Sequence, residues 1–208
     1  MAGALEAGDA MGSWLGELVS EYVTLLFIMN PFGALPIYMD IAGHLHPWER
    51  RKVANTAALV AASLLYLTAL GGDLLLRLYQ INLDEFRFAG GIILLAIGIA
   101  RLGGEASTQS PDPRDAAAVP LATPLLVGPA TMTYVIVFSH TASLAVLLVA
   151  IALAVASVWV IFELGEAILE KLGRSTMKVM TRITALFVAG IGAAMIHSAL
   201  KAWGIARL

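Results

Sequence analysis

The segment from Tyr22 to Met39 is an uncharged run of 18 residues that reads Asn30-Pro31-Phe32-Gly33-Ala34-Leu35-Pro36 at its centre. Its length and apolarity suit a bilayer crossing, yet its middle cannot be regular helix. Proline has no N–H and its ring collides with the carbonyl one turn back, which costs about 3 kcal/mol in a helix interior. Here that happens at Pro31 and again at Pro36. Asparagine is a good N-cap and proline is favoured at the first helical position, so Asn30-Pro31 predicts a second half-helix starting near mid-membrane. In hydrocarbon the amides bared by such a restart need an acceptor, because an unpaired polar group costs several kcal/mol. Two readings follow. The break is a kink satisfied by neighbouring helices, or its partly positive N-terminus receives a ligand acceptor such as a carboxylate, as broken helices do in secondary transporters.

A related pattern recurs later in the chain. Ala116 to Ser139 is an uncharged run of 24 residues holding Pro120, Pro124 and Gly128-Pro129-Ala130-Thr131. Pro129 follows Pro31 by 98 positions, Gly165-Glu166 follows Gly72-Asp73 by 93, and Arg182 follows Arg87 by 95. Two copies of one unit are expected, repeat one over 14–102 and repeat two over 119–204, joined by a polar linker at 103–118 within one membrane domain, 1–208. Each copy carries three apolar segments, so the second enters the membrane from the opposite side and the repeat is inverted. The expected fold is an all-α polytopic membrane protein with six transmembrane helices in two inverted triplets, helices one and four interrupted.

Composition agrees, with 59% hydrophobic residues, 13% charged and a mean hydropathy of +0.83. The formal charge of -2 and the lack of a basic cluster with interleaved aromatics give no sign of a nucleic-acid partner. There is no cysteine, hence no disulfide or thiolate chemistry. Met1 to Gly16 has no Lys or Arg, unlike a cleavable signal peptide, and is expected to be a short frayed tail. Glu17 and Glu21 precede the first apolar run, where an interfacial position is expected. His44 and His46 lie in a loop with Trp48, which favours an interfacial anchor over a metal site.

Val53 to Gly72 supplies 20 uncharged residues for the second helix, and Asp73 and Arg77 form an i,i+4 pair if it continues. Only 13 uncharged residues separate Arg87 from Arg101. The third helix is therefore expected to start near Leu83, with Arg87 neutralised by Asp84 or Glu85. Ser139 to Ser143 forms a turn with His140, and Thr141 to Phe162 is the fifth helix. Glu163, Glu166 and Glu170 share one face, expected to be solvated and paired with Lys171 and Arg174. Ile183 to Leu200 is the sixth helix, whose Ala189-Gly190-Ile191-Gly192 stretch permits close backbone approach, matched by Gly90-Gly91 in helix three. With both termini outside, nine of the 13 Lys and Arg residues fall inside and four outside, as positive-inside requires.

The groups of common hydrolases, zinc proteases and nucleotide-driven pumps are missing, and neither a catalytic residue nor a cofactor is expected. The interrupted segments instead offer Asn30, Thr131 and backbone amides, with few fixed charges at that depth. Such a set suits a neutral zwitterion. Asp40, about 15 Å beyond Asn30 along a helix, either relays a coupling proton or sits at the interface.

The residues also resemble a family, the MarC or SnatA-like membrane proteins, described as neutral amino acid transporters. The likeness runs from about Leu26 to Leu200. It rests on Asn30-Pro31-x-Gly33-x-x-Pro36, on Phe86-Arg87-x-Ala89-Gly90-Gly91, on Val119-Pro120-Leu121-Ala122-x-Pro124 with Gly128-Pro129, and on Arg182 opening the last helix. The resemblance implies the six-helix inverted arrangement and uptake of small neutral amino acids such as glycine or alanine, coupled to a proton or sodium gradient. It places substrate binding on Asn30, Pro31, Gly33, Gly128, Pro129 and the adjacent Phe32, Ala130 and Thr131. At Ala130 many members carry a second glycine, so the extra methyl narrows the site here. Competing readings are a non-transporting membrane scaffold and an exporter or channel for another small metabolite. Oligomeric state is not legible in the sequence.

Overall fold

Among the described residues three prolines open helices, whereas Pro36, the second break expected in the first apolar run, lies inside one that continues past it. The computed structural model describes residues 2–103, 126–141 and 143–205, with side chains from Ser13 onward. Seven helices are described: α1 (Ala2–Met29), α2 (Pro31–Ala42), α3 (Pro47–Leu78), α4 (Leu83–Leu102), α5 (Pro129–Thr141), α6 (Leu144–Glu163) and α7 (Gly165–Ala202). Among the described residues there is no strand. The linker at 104–118 and the Val119 to Pro124 motif lie outside the described residues.

Three starts show the same chemistry. Pro31, Pro47 and Pro129 each occupy the first position of a helix, where the missing N–H is no loss. At α3 the backbone N–H of His46 donates to Glu49 Oε2 at 3.2 Å. At α4 the Asn82 N–H donates to Glu85 Oε2 at 3.0 Å. That contact uses Glu85 as a cap and leaves Asp84 for Arg87, whose Nη1 lies 2.7 Å from Asp84 Oδ1. The third helix thus starts at Leu83 with Arg87 neutralised, as its short uncharged stretch demands.

α3, α6 and α7 are long and apolar enough to cross a membrane, and Ser13–Met29 with Pro31–Ala42 adds a fourth crossing if the pair, bent by 44°, is one span. α4 carries Asp84, Glu85, Arg87 and Arg101, and α5 has 13 residues, so neither qualifies by length and composition alone. Large apolar side chains such as Leu59, Leu67, Leu70 and Leu74 on α3 stand exposed, as lipid-facing residues do.

Polar cross-links gather at the two ends of the bundle. At one end Arg50 Nη1 meets Glu166 Oε2 at 2.7 Å, Arg51 Nε lies 3.7 Å from Glu163 Oε1, and Arg174 pairs with Asp40. At the other, the Ser143 N–H donates to Glu17 Oε1 at 2.8 Å, and Asp73 joins both His140 and Arg77 at 2.8 Å. Beside the first end Tyr38 stacks on Phe162 with ring centroids 4.3 Å apart and donates to the Arg50 carbonyl at 3.1 Å, and between the ends Tyr22 and Ser157 share a 2.9 Å hydrogen bond between α1 and α6.

α4 and α7 meet backbone to backbone. A Cβ built on Gly192 would stand 2.6 Å from the Gly91 carbonyl oxygen, and one on Gly91 would stand 2.7 Å from that of Gly192. Gly98 is equally tight against Ala189, at 2.7 Å, whereas Gly190 has nothing within 4 Å. The expected small-residue contact is present, but Gly190 faces away from it.

Four local expectations change. The leading segment is helical from Ala2, not a frayed tail. His140 lies in the last turn of α5 instead of a turn beyond it. Arg182 lies inside α7, which runs from Gly165 through a non-helical Gly173 with φ 73°. Glu163, which closes α6, and Glu166 of α7 do not pair with Lys171 or Arg174. Glu166 reaches across to Arg50 and Glu163 to Arg51, and Arg174 goes to Asp40, because neighbouring helix ends bring those cations closer.

Candidate functional site

Asn30 is the single residue between α1 and α2, and it takes the left-handed conformation, φ 49° and ψ 59°. Few non-glycine residues tolerate that region, and asparagine is among them. Its carbonyl accepts from the amides of Gly33 and Ala34 at 3.1 Å each, and its Oδ1 accepts from the Gly33 N–H at 3.3 Å. The side chain is buried and faces α7, where Thr184 Oγ1 lies 3.1 Å from Oδ1. Thr184 Oγ1 is also 2.9 Å from the Thr181 carbonyl, so its one proton serves one acceptor at a time. Gly33 must be glycine for this packing: a Cβ there would stand 2.2 Å from Asn30 Nδ2 and 3.1 Å from Thr181 Oγ1.

An unbroken helix would bond the Phe32 N–H to the Ile28 carbonyl. Here that pair is split. Arg101, near the end of α4, donates from Nη1 to the Ile28 carbonyl at 3.3 Å. A cation thus sits at the negative end of the α1 dipole. The Phe32 N–H, first amide of α2, has no acceptor among the described residues. Sequence reasoning expected no cation at this depth and missed Arg101, because the contact joins residues 73 apart. A signal was present: an arginine ending a stretch too short to span has reason to turn inward.

On the second interrupted segment, Pro129 opens α5 and the Met132 N–H returns to the Gly128 carbonyl at 3.1 Å. Thr131 is buried and its hydroxyl donates to the Leu126 carbonyl at 3.3 Å. Ala130 is buried, Gly128 partly buried and Pro129 exposed. Among the described residues no hydrogen bond links Asn30 to Thr131. Phe32 packs against the core from a half-buried position. Asp40 lies at the far end of α2 with its side chain 57% exposed, beside Arg174.

A separate cavity of about 410 Å³ opens at the opposite end, lined by Ser20, Glu21, Thr24, Arg87, Tyr134 and Ser198 among others, with neither Asn30 nor Thr131 in its wall. Glu21 is 4% exposed and accepts a 2.8 Å hydrogen bond from the Tyr134 hydroxyl. Sequence reasoning placed Glu21 at the interface with Glu17. The overlooked signal is spacing, since Ser20, Glu21 and Thr24 fall on one helical face. Among the described residues no group of three or more His, Cys, Asp or Glu side chains could hold a metal.

An all-helical bundle with lipid-like outer faces, ion pairs gathered toward its ends and a bent, interrupted helix is an integral membrane protein. The chain belongs to the MarC family of integral membrane proteins, whose model matches residues 15–204. It is 35% identical over 190 residues to a membrane protein of Pyrococcus abyssi, covering 88% of this chain and 94% of that one. It is 28% identical over 193 residues to the membrane protein YhcE of Escherichia coli K12, covering 86% of this chain and 90% of the relative. No solved structure matches the chain.

Proposed function

We propose that this protein is a secondary transporter of small neutral amino acids of the glycine and alanine type, coupled to a proton or sodium gradient. Its substrate site comprises Asn30, Pro31, Phe32 and Gly33 with Gly128, Pro129, Ala130 and Thr131. The observation that carries the reading is the split Ile28–Phe32 pair: the carbonyl is held by Arg101 and the amide is left at a buried half-helix N-terminus. A zwitterion matches both halves, its carboxylate taking the amide and its ammonium taking carbonyls exposed by the break. Supporting the six-span inverted arrangement, both interrupted segments restart on a proline at the first helical position. α4 also packs on α7, the helix that corresponds to it under the repeat. Asp40, exposed and ion-paired, is left outside the coupling machinery in this reading.

Glycine, alanine and serine should each raise the thermal stability of the purified protein, by about 2.7 kcal/mol when present at about 100 times Kd. Proteoliposomes should accumulate the same solutes against a gradient. Neither stabilisation nor accumulation across that panel would leave the scaffold reading in place.

The protein is proposed to lie in the cell membrane with both termini outside. Because the chain has no cysteine, single replacements report cleanly. His44→Cys, before α3, should label from inside intact cells, and Tyr79→Cys, after it, from outside. The reverse pattern would invert the orientation, and labelling of both from one side would remove α3 as a span.

A further inference from the structure

We propose that Glu21, in the cavity between α1, α4, α5 and α7, is the carboxylate that takes up and releases the coupling proton. The inference rests on the transport reading above and names its ion and its residue. Glu21 is almost wholly buried, yet it faces a cavity of about 410 Å³. Burying an ionised carboxylate without a countercharge is costly in a membrane, and protonation relieves that cost.

The charged and titratable groups around it leave Glu21 alone. On α4, Arg87 lines the same cavity, but its guanidinium is bound to Asp84 at 2.7 Å. On α5, Tyr134 donates its hydroxyl proton to Glu21 Oε2 at 2.8 Å. On α1, Glu17 lies one turn outward and accepts from the Ser143 N–H. α7 contributes Ile191, Ala194, Met195 and Ser198, none of them titratable. Among the described residues no cation lies within ion-pair distance of Glu21. A proton suits the place because it bonds to the carboxylate itself and leaves Glu21 neutral in its buried position. Ser20, Thr24 and Ser198, each with a hydroxyl, line the same cavity.

Position explains how a proton here reaches the substrate site. Glu21 is nine residues before Asn30 on α1, about 14 Å along the helix. Tyr134 is one turn after Thr131 on α5. Their hydrogen bond therefore ties together the two interrupted segments. A hydroxyl donates more strongly to a carboxylate than to a carboxylic acid, so loading the proton weakens that tie.

Glu21→Gln keeps the shape and an acceptor for Tyr134 while removing the titration. In proteoliposomes with radiolabelled glycine, wild type should accumulate under a pH gradient. The variant should retain gradient-free exchange within about twofold and lose the driven accumulation, a loss of at least about tenfold. An infrared difference spectrum between about pH 6 and about pH 9, a range in which ordinary carboxylates stay ionised, gives a readout that needs no substrate. It should show a carboxylic acid band that is absent in Glu21→Gln and altered in frequency in Tyr134→Phe. Persistence of the band in Glu21→Gln, its absence from wild type, or pH-driven accumulation by the variant would overturn the proposal. If wild type exchanges no glycine, the transport reading fails by itself, and the band still decides whether Glu21 binds a proton.

Discussion

Gly192→Leu is expected to prevent assembly of the bundle, and Gly192→Ala to cost roughly 1–3 kcal/mol, or about 2–12 °C in thermal midpoint. The reason is the neighbour. A methyl at Gly192 meets the Gly91 carbonyl oxygen and the Leu95 amide nitrogen at 2.6 Å each, and backbone atoms cannot rotate away as a side-chain tip can. α4 and α7 must move apart along their length to admit it. Gly190→Ala is the matched control, two residues away on the same helix with nothing within 4 Å. Exchanging glycine for alanine in an open helical position should stabilise by up to about 1 kcal/mol. Detergent-solubilised protein followed by thermal unfolding gives both numbers. Equal midpoints for the two alanine variants would remove the glycine crossing as a determinant of stability.

Asn30→Gly should separate the backbone role of Asn30 from its side-chain role. Glycine adopts φ 49° without strain, and a glycine in place of a capping residue costs a few tenths of a kcal/mol. Asn30→Ala must take the left-handed region with a Cβ, at a further cost of about 1–2 kcal/mol. Stability is therefore expected to fall in the order wild type, Gly, Ala. On the proposed transport function, substrate affinity should fall alike in both, about ten- to hundredfold, the proposed hydrogen bond from Asn30 to a charged group being worth roughly 1.5–3 kcal/mol. Titration with glycine measures the affinity and thermal unfolding the stability. Wild-type affinity in Asn30→Gly would take Asn30 out of the substrate site.

How far the sequence could be read depended on whether a feature is local. The break at Asn30 was legible because proline lacks an N–H wherever it stands, so no tertiary context can restore the missing bond. The start of α4 and the neutralisation of Arg87 followed from arithmetic on an uncharged stretch too short to span. That Asp84 and not Glu85 does the pairing was settled by the capping of Asn82, a contact among near neighbours that sequence could have separated. What escaped was long-range. Arg101 reaches Ile28, Tyr134 reaches Glu21 and Arg174 reaches Asp40, across 73, 113 and 134 positions. Nothing in a single chain's spacing encodes such pairs. The six-helix count was inferred from repeat logic, whereas length and apolarity alone support three spans, or four with the bent pair.

The crossing of α4 and α7 has a mechanical side. Helices that interlock through large side chains must lift knobs out of holes before they can turn, which makes their angle discrete. At Gly91, Gly98 and Gly192 there are no knobs, and the two backbones lie against each other over about two turns of α4. The angle between them follows from two such close points, Gly91 and Gly98, and beyond them Phe88 of α4 meets Trp203 just past α7, with ring centroids 5.3 Å apart. The glycine contact is thus a rail, holding the two helices at a fixed separation and direction, with the aromatic pair closing it at the rim.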